Sequence, residues 1–178
     1  MNKKRCKWAN NDEIYKKYHD EEWGVPKHDD QKIFEMLILE SFQAGLSWIT
    51  ILKKRDNFRE AFDDFDYEKI SEYDKEKVEE LLQDEGIIRH KGKINAAINN
   101  AKVFMDIQEE FGSFDEYIWN FTDGEIIKAE YETDSELSKK ISKDLKKHGM
   151  KFVGPKIIYS FLEAIGIIDN HEKKCFKY

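Results

Sequence analysis

Apolar residues recur at helical spacing along most of the chain, and the polar segments between them are short. The most apolar segment is 33–42, and Asp29 or Asp30 is placed to cap a helix there. Gly86 and Gly149 are predicted to end helices, and Ser135 is predicted to begin one. The predicted helices cover about 12–18, 31–45, 47–54, 57–63, 66–72, 74–84, 91–110, 113–121, 136–148 and a last segment that ends near 165.

No segment shows a convincing alternation of polar and apolar residues, so the sequence predicts no strands and an all-α fold. Segment 122–134 is predicted to be a polar connection. A hydrophobic content of 40% and an aromatic content of 13% exclude a disordered chain. The length fits one domain over residues 1–178, or two small helical lobes within it.

Charge is distributed unevenly along the chain. The net charge of −7 argues weakly against a nucleic-acid partner, but local distribution matters more than the sum. Segment 137–160 contains seven lysines and one acidic residue, and segment 87–102 contains four basic residues and no acidic one. One basic face on an acidic protein is therefore expected. Because no run approaches 18 apolar residues and no apolar leader precedes the first charged residues, we expect a cytoplasmic location without membrane contact.

The two cysteines of the chain lie near opposite ends, and each has a histidine on its inner side. Cys6 and His19 are followed, about 150 residues later, by His171 and Cys175. Two thiolates and two imidazoles are the ligands of a closed tetrahedral zinc site, which would join the two ends of the chain. Spacing alone leaves two alternatives open, namely buried thiols that act as small apolar side chains and a disulfide in an oxidising compartment.

Aromatic side chains crowd the first part of the sequence. Glu40 lies within the most apolar helix, where a carboxylate is costly unless it is paired or has a function. A salt bridge or a half-exposed position is the simpler explanation for Glu40, and core packing is the simpler explanation for each aromatic residue. A pocket of aromatic faces with one buried carboxylate would instead suit a flat, cationic, nitrogen-rich ligand. The aromatic residues in question are Trp8, Tyr15, Tyr18, Trp23 and Trp48.

Two turns carry basic residues between helices. In the segment from Gly149 to Lys156, a lysine-rich helix ends at a glycine, and Gly154 opens the next helix. Helix–hairpin–helix elements bind DNA phosphates in this way, through backbone N–H groups and a helix N-terminus. The alternative is an ordinary turn with solvated lysines, although a second basic turn over 86–93 favours a nucleic-acid partner.

Five strings of residues resemble the bacterial DNA-3-methyladenine glycosylase I family, and the resemblance runs from about Cys6 to Cys175. It implies an all-helical member of the helix–hairpin–helix DNA glycosylase superfamily. The strings are Cys6-x-Trp8, Tyr18-His19-Asp20-x-Glu22-Trp23-Gly24-Val25-Pro26, Gln43-Ala44-Gly45-Leu46-Ser47-Trp48-Ile49-Thr50, Gly86-Ile87-Ile88-Arg89-His90 and Lys151-Phe152-Val153-Gly154.

The resemblance implies a role for each candidate residue. Glu40 is implied to recognise the base, and the five aromatic residues are implied to line its pocket. We expect Glu40 to act in catalysis by stabilising cationic charge, with orientation of a water as an open alternative. One structural Zn²⁺ is implied to join the termini through Cys6, His19, His171 and Cys175. Many superfamily members have a catalytic aspartate after the hairpin, in the region of Asp169. Because Asp169 lies beside His171, we expect it to be a supporting or capping residue, and catalysis is the alternative. The implied DNA contacts are Arg89, Lys91, Lys151, Phe152, Val153, Gly154 and Lys156.

The implied activity is hydrolytic release of 3-methyladenine from alkylated double-stranded DNA, and we expect a monomer. Pro155 departs slightly from the family pattern, since proline removes one possible N–H donor to phosphate. A zinc-stabilised DNA-binding or damage-sensing module without catalysis is the alternative. A zinc hydrolase is disfavoured because four protein ligands leave no open coordination position.

Overall fold

Helices dominate the computed structural model, which describes residues 3–130 and 132–178. Three short 3-10 helices at Lys7–Ala9, Asp63–Phe65 and Asn120–Thr122 lie before or between the α-helices. The described residues form nine α-helices, which are α1 (Glu13–Glu21), α2 (Asp30–Gln43), α3 (Trp48–Ala61), α4 (Tyr67–Ser71), α5 (Lys75–Gln83), α6 (Lys91–Phe111), α7 (Phe114–Trp119), α8 (Glu136–His148) and α9 (Pro155–Ala164).

The helix ends follow local capping chemistry. The Asp29 side chain accepts a hydrogen bond from the N–H of Lys32 and begins α2. Ser135 and Ser138 cap α8 reciprocally, as in a capping box. Gly149 ends α8 with φ of +106°, a conformation that glycine adopts without a steric penalty. The predicted starts of α2 and α8 and the predicted end of α8 are therefore confirmed.

One helix prediction was wrong, because segments 47–54 and 57–63 do not form two helices. Helix α3 runs without interruption from Trp48 to Ala61. Arg55, in the predicted gap, donates hydrogen bonds at 2.8 Å to Glu22 and to Glu35. The polar residues around Arg55 have the composition of a loop between helices. In the structure, Arg55 and Arg59 instead form ion pairs with Glu22 and Glu35, which hold α3 against α2 and the end of α1.

The prediction of no strands was also wrong in detail. Two-residue strands β1 (Ile127–Lys128) and β2 (Ile168–Asp169) pair in parallel. The N–H of Ile127 donates to the carbonyl of Ile167 at 2.8 Å. This pairing was not predictable from a local pattern, since it joins the polar connection to the segment that leads to His171.

Helix α2 lies at the centre of the main hydrophobic core and packs against α3, α6, α7 and α9. A second, smaller cluster contains Cys6, Tyr18, Trp23, Leu52 and Cys175, and Trp8, Tyr15 and Trp48 pack against it. The functional candidates from both ends of the chain therefore meet beside the central helix. None of the helices in the described ranges combines the length and the apolar character that crossing a bilayer requires.

Candidate functional site

A cavity of about 320 Å³ opens between the central helix and the second cluster. All six residues predicted to form a ligand pocket line it, so the fold brings them together as expected. They are Trp8, Tyr15, Tyr18, Trp23, Glu40 and Trp48. The sequence did not single out six further lining residues, which are Gln43, Glu132, Ser160, Glu163, Asn170 and Glu172.

The aromatic rings form a connected wall. Trp8 contacts Trp23 edge to face at a centroid distance of 5.0 Å and Tyr15 at 5.3 Å. Tyr18 lies 5.5 Å from Trp48, with the two rings tilted by 56°. The Tyr15 hydroxyl also accepts a hydrogen bond from the N–H of Ile49 at 2.9 Å, which ties α1 to the start of α3. The wall is thus held by its own contacts and presents faces and edges to a planar ligand.

Glu40 is 4% exposed and has no hydrogen bond or ion pair among the described residues. Burial raises the pKa of its carboxyl well above the ordinary value, and the nearby charge of Glu163 raises it further. The salt-bridge explanation for Glu40 therefore fails within this part of the chain. A buried carboxyl with no protein partner is costly, and a cationic ligand with N–H donors would offset that cost.

Glu163 is the most informative of the residues that the sequence analysis missed. It lies near the end of α9 and lines the cavity, and burial raises the pKa of its carboxyl to about 8. Its sequence context, Phe161-Leu162-Glu163-Ala164, carries the same signal that drew attention to Glu40. Glu40 and Glu163 are each an acidic residue inside an apolar helix, so the same pattern predicts a special role for both.

Three of the four predicted metal ligands meet in the second cluster. One donor atom from each of Cys6, His19 and Cys175 lies within 4.8 Å of the other two, and all three residues are buried. The fourth, His171, has its ring centroid 5.3 Å from that of His19. Backbone N–H groups of Glu172 and Lys177 approach the two sulfur atoms at 3.4 Å. Such donors favour thiolates, but burial outweighs them and raises the pKa of the Cys6 thiol to about 12, so a bound cation is needed to keep the thiolate.

The two histidines are oriented in the same way. Nδ1 of His19 contacts Asp20 at 2.9 Å, and Nδ1 of His171 contacts Asp169 at 2.6 Å. Carboxylates placed in this way direct Nε2 toward a metal. Nε2 of His171 is buried, and no described residue bonds to it. Asp169 thus lies where it can orient the His171 ring, and its supporting role stays a prediction.

The donor set fits a tetrahedral Zn²⁺ site with four protein ligands. Burial lowers the pKa of both His19 and His171, which favours the neutral imidazoles that bind metals. Gly24 leaves room for the His171 ring, because a Cβ at Gly24 would lie only 2.8 Å from His171 Cε1. Trp23 contacts the His171 ring at 4.6 Å and also lines the cavity, so the cluster and the cavity share a wall.

The predicted basic turn joins α8 to α9. Lys151, Phe152 and Lys156 are exposed, and Phe152 has a positive φ of 56°. Val153 is 1% exposed, so its side chain anchors the turn and its predicted DNA contact can involve only backbone. Gly154 caps α9, and a Cβ there would meet no atom within 4 Å. The turn therefore presents backbone and lysines to solvent.

The second basic turn adjoins the first. The His90 ring lies 6.1 Å from the Phe152 ring, and a Cβ at Gly92 would lie 3.9 Å from Phe152. Arg89 and Lys91 are exposed on this turn. Residues predicted to contact DNA in two distant parts of the sequence therefore lie next to each other.

Comparisons with known proteins agree over nearly the whole chain. The family model described as methyladenine glycosylase matches residues 8–178. The DNA-3-methyladenine glycosylase 1 of Escherichia coli (strain K12) is 45% identical over 98% of this chain and 96% of its own length. A crystal structure of 3-methyladenine DNA glycosylase I has a TM-score of 0.94 at 46% identity and covers 97% of this chain and 98% of that one.

A Staphylococcus aureus structure that addresses recognition of 3-methyladenine by this type of enzyme has a TM-score of 0.92. It is 38% identical and covers 97% of this chain and 95% of that one. The fold is thus that of the 3-methyladenine DNA glycosylase I structures. The chain belongs to the methyladenine glycosylase family.

Proposed function

We infer that this protein is a DNA-3-methyladenine glycosylase of base-excision repair, which hydrolyses the bond between 3-methyladenine and deoxyribose in alkylated double-stranded DNA. The observation that carries this inference is the buried, unpaired carboxyl of Glu40 in a cavity walled by aromatic rings. Family membership and the E. coli and S. aureus relatives support the same substrate.

The target base must leave the duplex before it can enter the cavity. Unstacking and unpairing cost a few kcal/mol, and stacking on aromatic side chains offsets part of that cost. Trp48 and Tyr18 contact each other and line the cavity, so we expect the base to stack against them. Methylation at N3 makes the base cationic, and Glu40 attracts that charge while it accepts a hydrogen bond from an N–H group.

The positive charge also weakens the glycosidic bond. As the bond from C1′ to N9 breaks, its electron pair moves onto the base, which leaves as a neutral molecule. Water adds to C1′ and loses a proton, which leaves an abasic site. Since the leaving group is good, the protein's main contribution is selection of the base and electrostatic stabilisation of the cationic transition state by Glu40.

A structural Zn²⁺ is part of the proposal. The four residues that would hold it are Cys6, His19, His171 and Cys175, and it would supply cross-linking of the two ends of the chain rather than chemistry. The support is the meeting of three donors within 4.8 Å and the unpartnered Nε2 of His171. Through Trp23, such a clasp would hold the aromatic wall in place.

The α8–turn–α9 segment and the turn over 86–93 are proposed as the DNA-binding surface, in the manner of a helix–hairpin–helix element. Lys151 and Lys156 contact phosphates, and the N-terminus of α9 adds its positive end. Arg89 and Lys91 extend the same basic surface. These contacts hold the duplex without reading its sequence.

The non-catalytic alternative loses support, because a DNA-binding module has no use for a buried carboxyl in an aromatic cavity. A cytoplasmic location, a monomeric state and the single-domain organisation stay predictions. The release of free base separates an enzyme from a damage sensor directly.

The Glu40→Gln variant tests the role of the carboxyl, with the exposed Glu109→Gln variant on α6 as a matched control. We expect Glu40→Gln to lower 3-methyladenine release by about a hundredfold or more while DNA binding is retained. Glu109→Gln should behave like the wild type. Release by Glu40→Gln at the wild-type rate would contradict the assigned role.

A further inference from the structure

A second, partly buried carboxyl shares the cavity with Glu40. Glu163 projects from α9, which packs directly against α2, the helix that carries Glu40. One of its oxygens, Oε2, accepts a hydrogen bond from the side-chain amide of Asn170 at 3.3 Å. The backbone carbonyl of Glu163 accepts from the N–H of Gly24 at 3.0 Å. Glu163 is therefore a fixed part of the cavity.

The cavity is strongly acidic. Within the described ranges its lining includes four glutamates and neither lysine nor arginine. Burial raises the pKa of Glu163 to about 8, and the charge of Glu163 contributes to the raised pKa of Glu40. Two carboxyls that line one cavity repel each other when both are ionised, and burial disfavours the charge of each, so the pair favours keeping one proton.

One shared proton changes what the pair can recognise. An ionised carboxylate only accepts hydrogen bonds, whereas a protonated carboxyl also donates one. Adenine presents a donor, its exocyclic amine, next to a ring nitrogen that accepts. A single carboxylate satisfies the amine and leaves the ring nitrogen without a donor, which costs free energy in a buried site.

We propose that Glu163 is a second base-reading residue and that it acts with Glu40 as a pair, in which one carboxyl accepts from the exocyclic amine and the other donates to a ring nitrogen. This inference rests on the proposed function. It assigns specificity to a residue outside the aromatic wall, and it explains why an apolar helix carries a carboxyl into the cavity.

The test compares ligands and variants in one binding series. The ligands are 3-methyladenine and its 1-deaza and 7-deaza analogues, each of which lacks one ring nitrogen, and quenching of tryptophan fluorescence reports binding. The wild type should bind one analogue about tenfold or more weakly than 3-methyladenine. Glu163→Ala should bind 3-methyladenine about tenfold more weakly and should no longer discriminate against that analogue.

Glu163→Gln keeps a donor and an acceptor, so it should stay within about threefold of the wild type. Glu109→Ala, an exposed change on α6, controls for nonspecific loss. Equal affinity of the wild type for all three ligands would overturn the inference, and so would unchanged discrimination in Glu163→Ala. If Glu163→Ala fails to fold, equal affinity of the wild type for the three ligands would still overturn the inference.

Different results would overturn the proposed function and the role of Glu163. A wild type that neither binds 3-methyladenine nor releases it would overturn the proposed function itself. A wild type that does both, without discriminating among the ligands, would overturn only the role of Glu163.

Discussion

Removal of the proposed zinc should destabilise the fold rather than stop a chemical step. The ligands lie near both ends of the chain, so a metal bound to Cys6 and Cys175 closes a loop of about 170 residues. By the loop-entropy relation developed for disulfides, closing such a loop contributes on the order of 5 kcal/mol. For a protein of this length that corresponds to a fall in Tm of about 10–20 °C on metal removal.

The assay combines metal analysis with calorimetry. Protein treated with a chelator is checked for zinc by mass spectrometry, and its Tm is compared before treatment, after treatment and after zinc is restored. The variant His171→Gln removes one ligand, and His28→Gln, a change at an exposed histidine, is its control. We expect His171→Gln to behave like the metal-free protein and His28→Gln like the wild type.

Two results would contradict a structural role for the zinc. One is a zinc-free protein whose Tm is unchanged, since the cross-link would then contribute nothing. The other is a zinc-free protein that stays folded and loses turnover selectively, because that outcome would assign the metal to catalysis. Rescue of Tm and activity together by added zinc supports the structural role.

Three further predictions concern the surroundings of the site. The Asn100 side chain forms two hydrogen bonds with the backbone of Lys151 and so holds the turn between α8 and α9. Asn100→Ala should weaken duplex binding about tenfold in fluorescence anisotropy without changing the affinity for free 3-methyladenine. An equal loss of affinity for duplex and for free base would contradict this prediction. Lys93 donates to two carbonyls at the end of α2, so Lys93→Met should lower the free energy of unfolding by about 1–3 kcal/mol in urea titrations, and an unchanged midpoint would argue against it. Because the pKa of Glu163 is raised to about 8, the folded protein keeps a proton that the unfolded chain loses above its ordinary pKa, and wild-type stability should fall as pH rises toward 8. Glu163→Gln should therefore gain stability relative to the wild type between about pH 5 and 8 and level off above that, and a difference that is constant with pH would contradict the assigned burial.

Helix ends were predictable because capping residues act on backbone groups a few residues away. Contacts between distant segments produce no pattern in the sequence around either segment. The caps at Asp29, Ser135 and Gly149 act within a few residues, and the sequence predicted all three. The continuity of α3 depends on ion pairs from Arg55 to distant helices. The pairing of β1 with β2 joins segments about 40 residues apart, and two-residue strands show no alternation.

The site was partly predictable for the same reasons. Cysteine and histidine are rare enough in this chain that their spacing alone suggested the cluster. Glu40 was noticed because a carboxylate is unexpected in an apolar helix. Glu163 has an equivalent context, but only the packing of α9 against α2 places it beside Glu40.

Chromatography of methylated duplex DNA after incubation with the wild-type protein shows directly whether the cavity excises the base. We expect free 3-methyladenine, with one abasic site formed for each base released, because the bond broken is the one between base and sugar. Methylated DNA that is bound and recovered intact, with no free base, would contradict the claim that this cavity is the site of base excision.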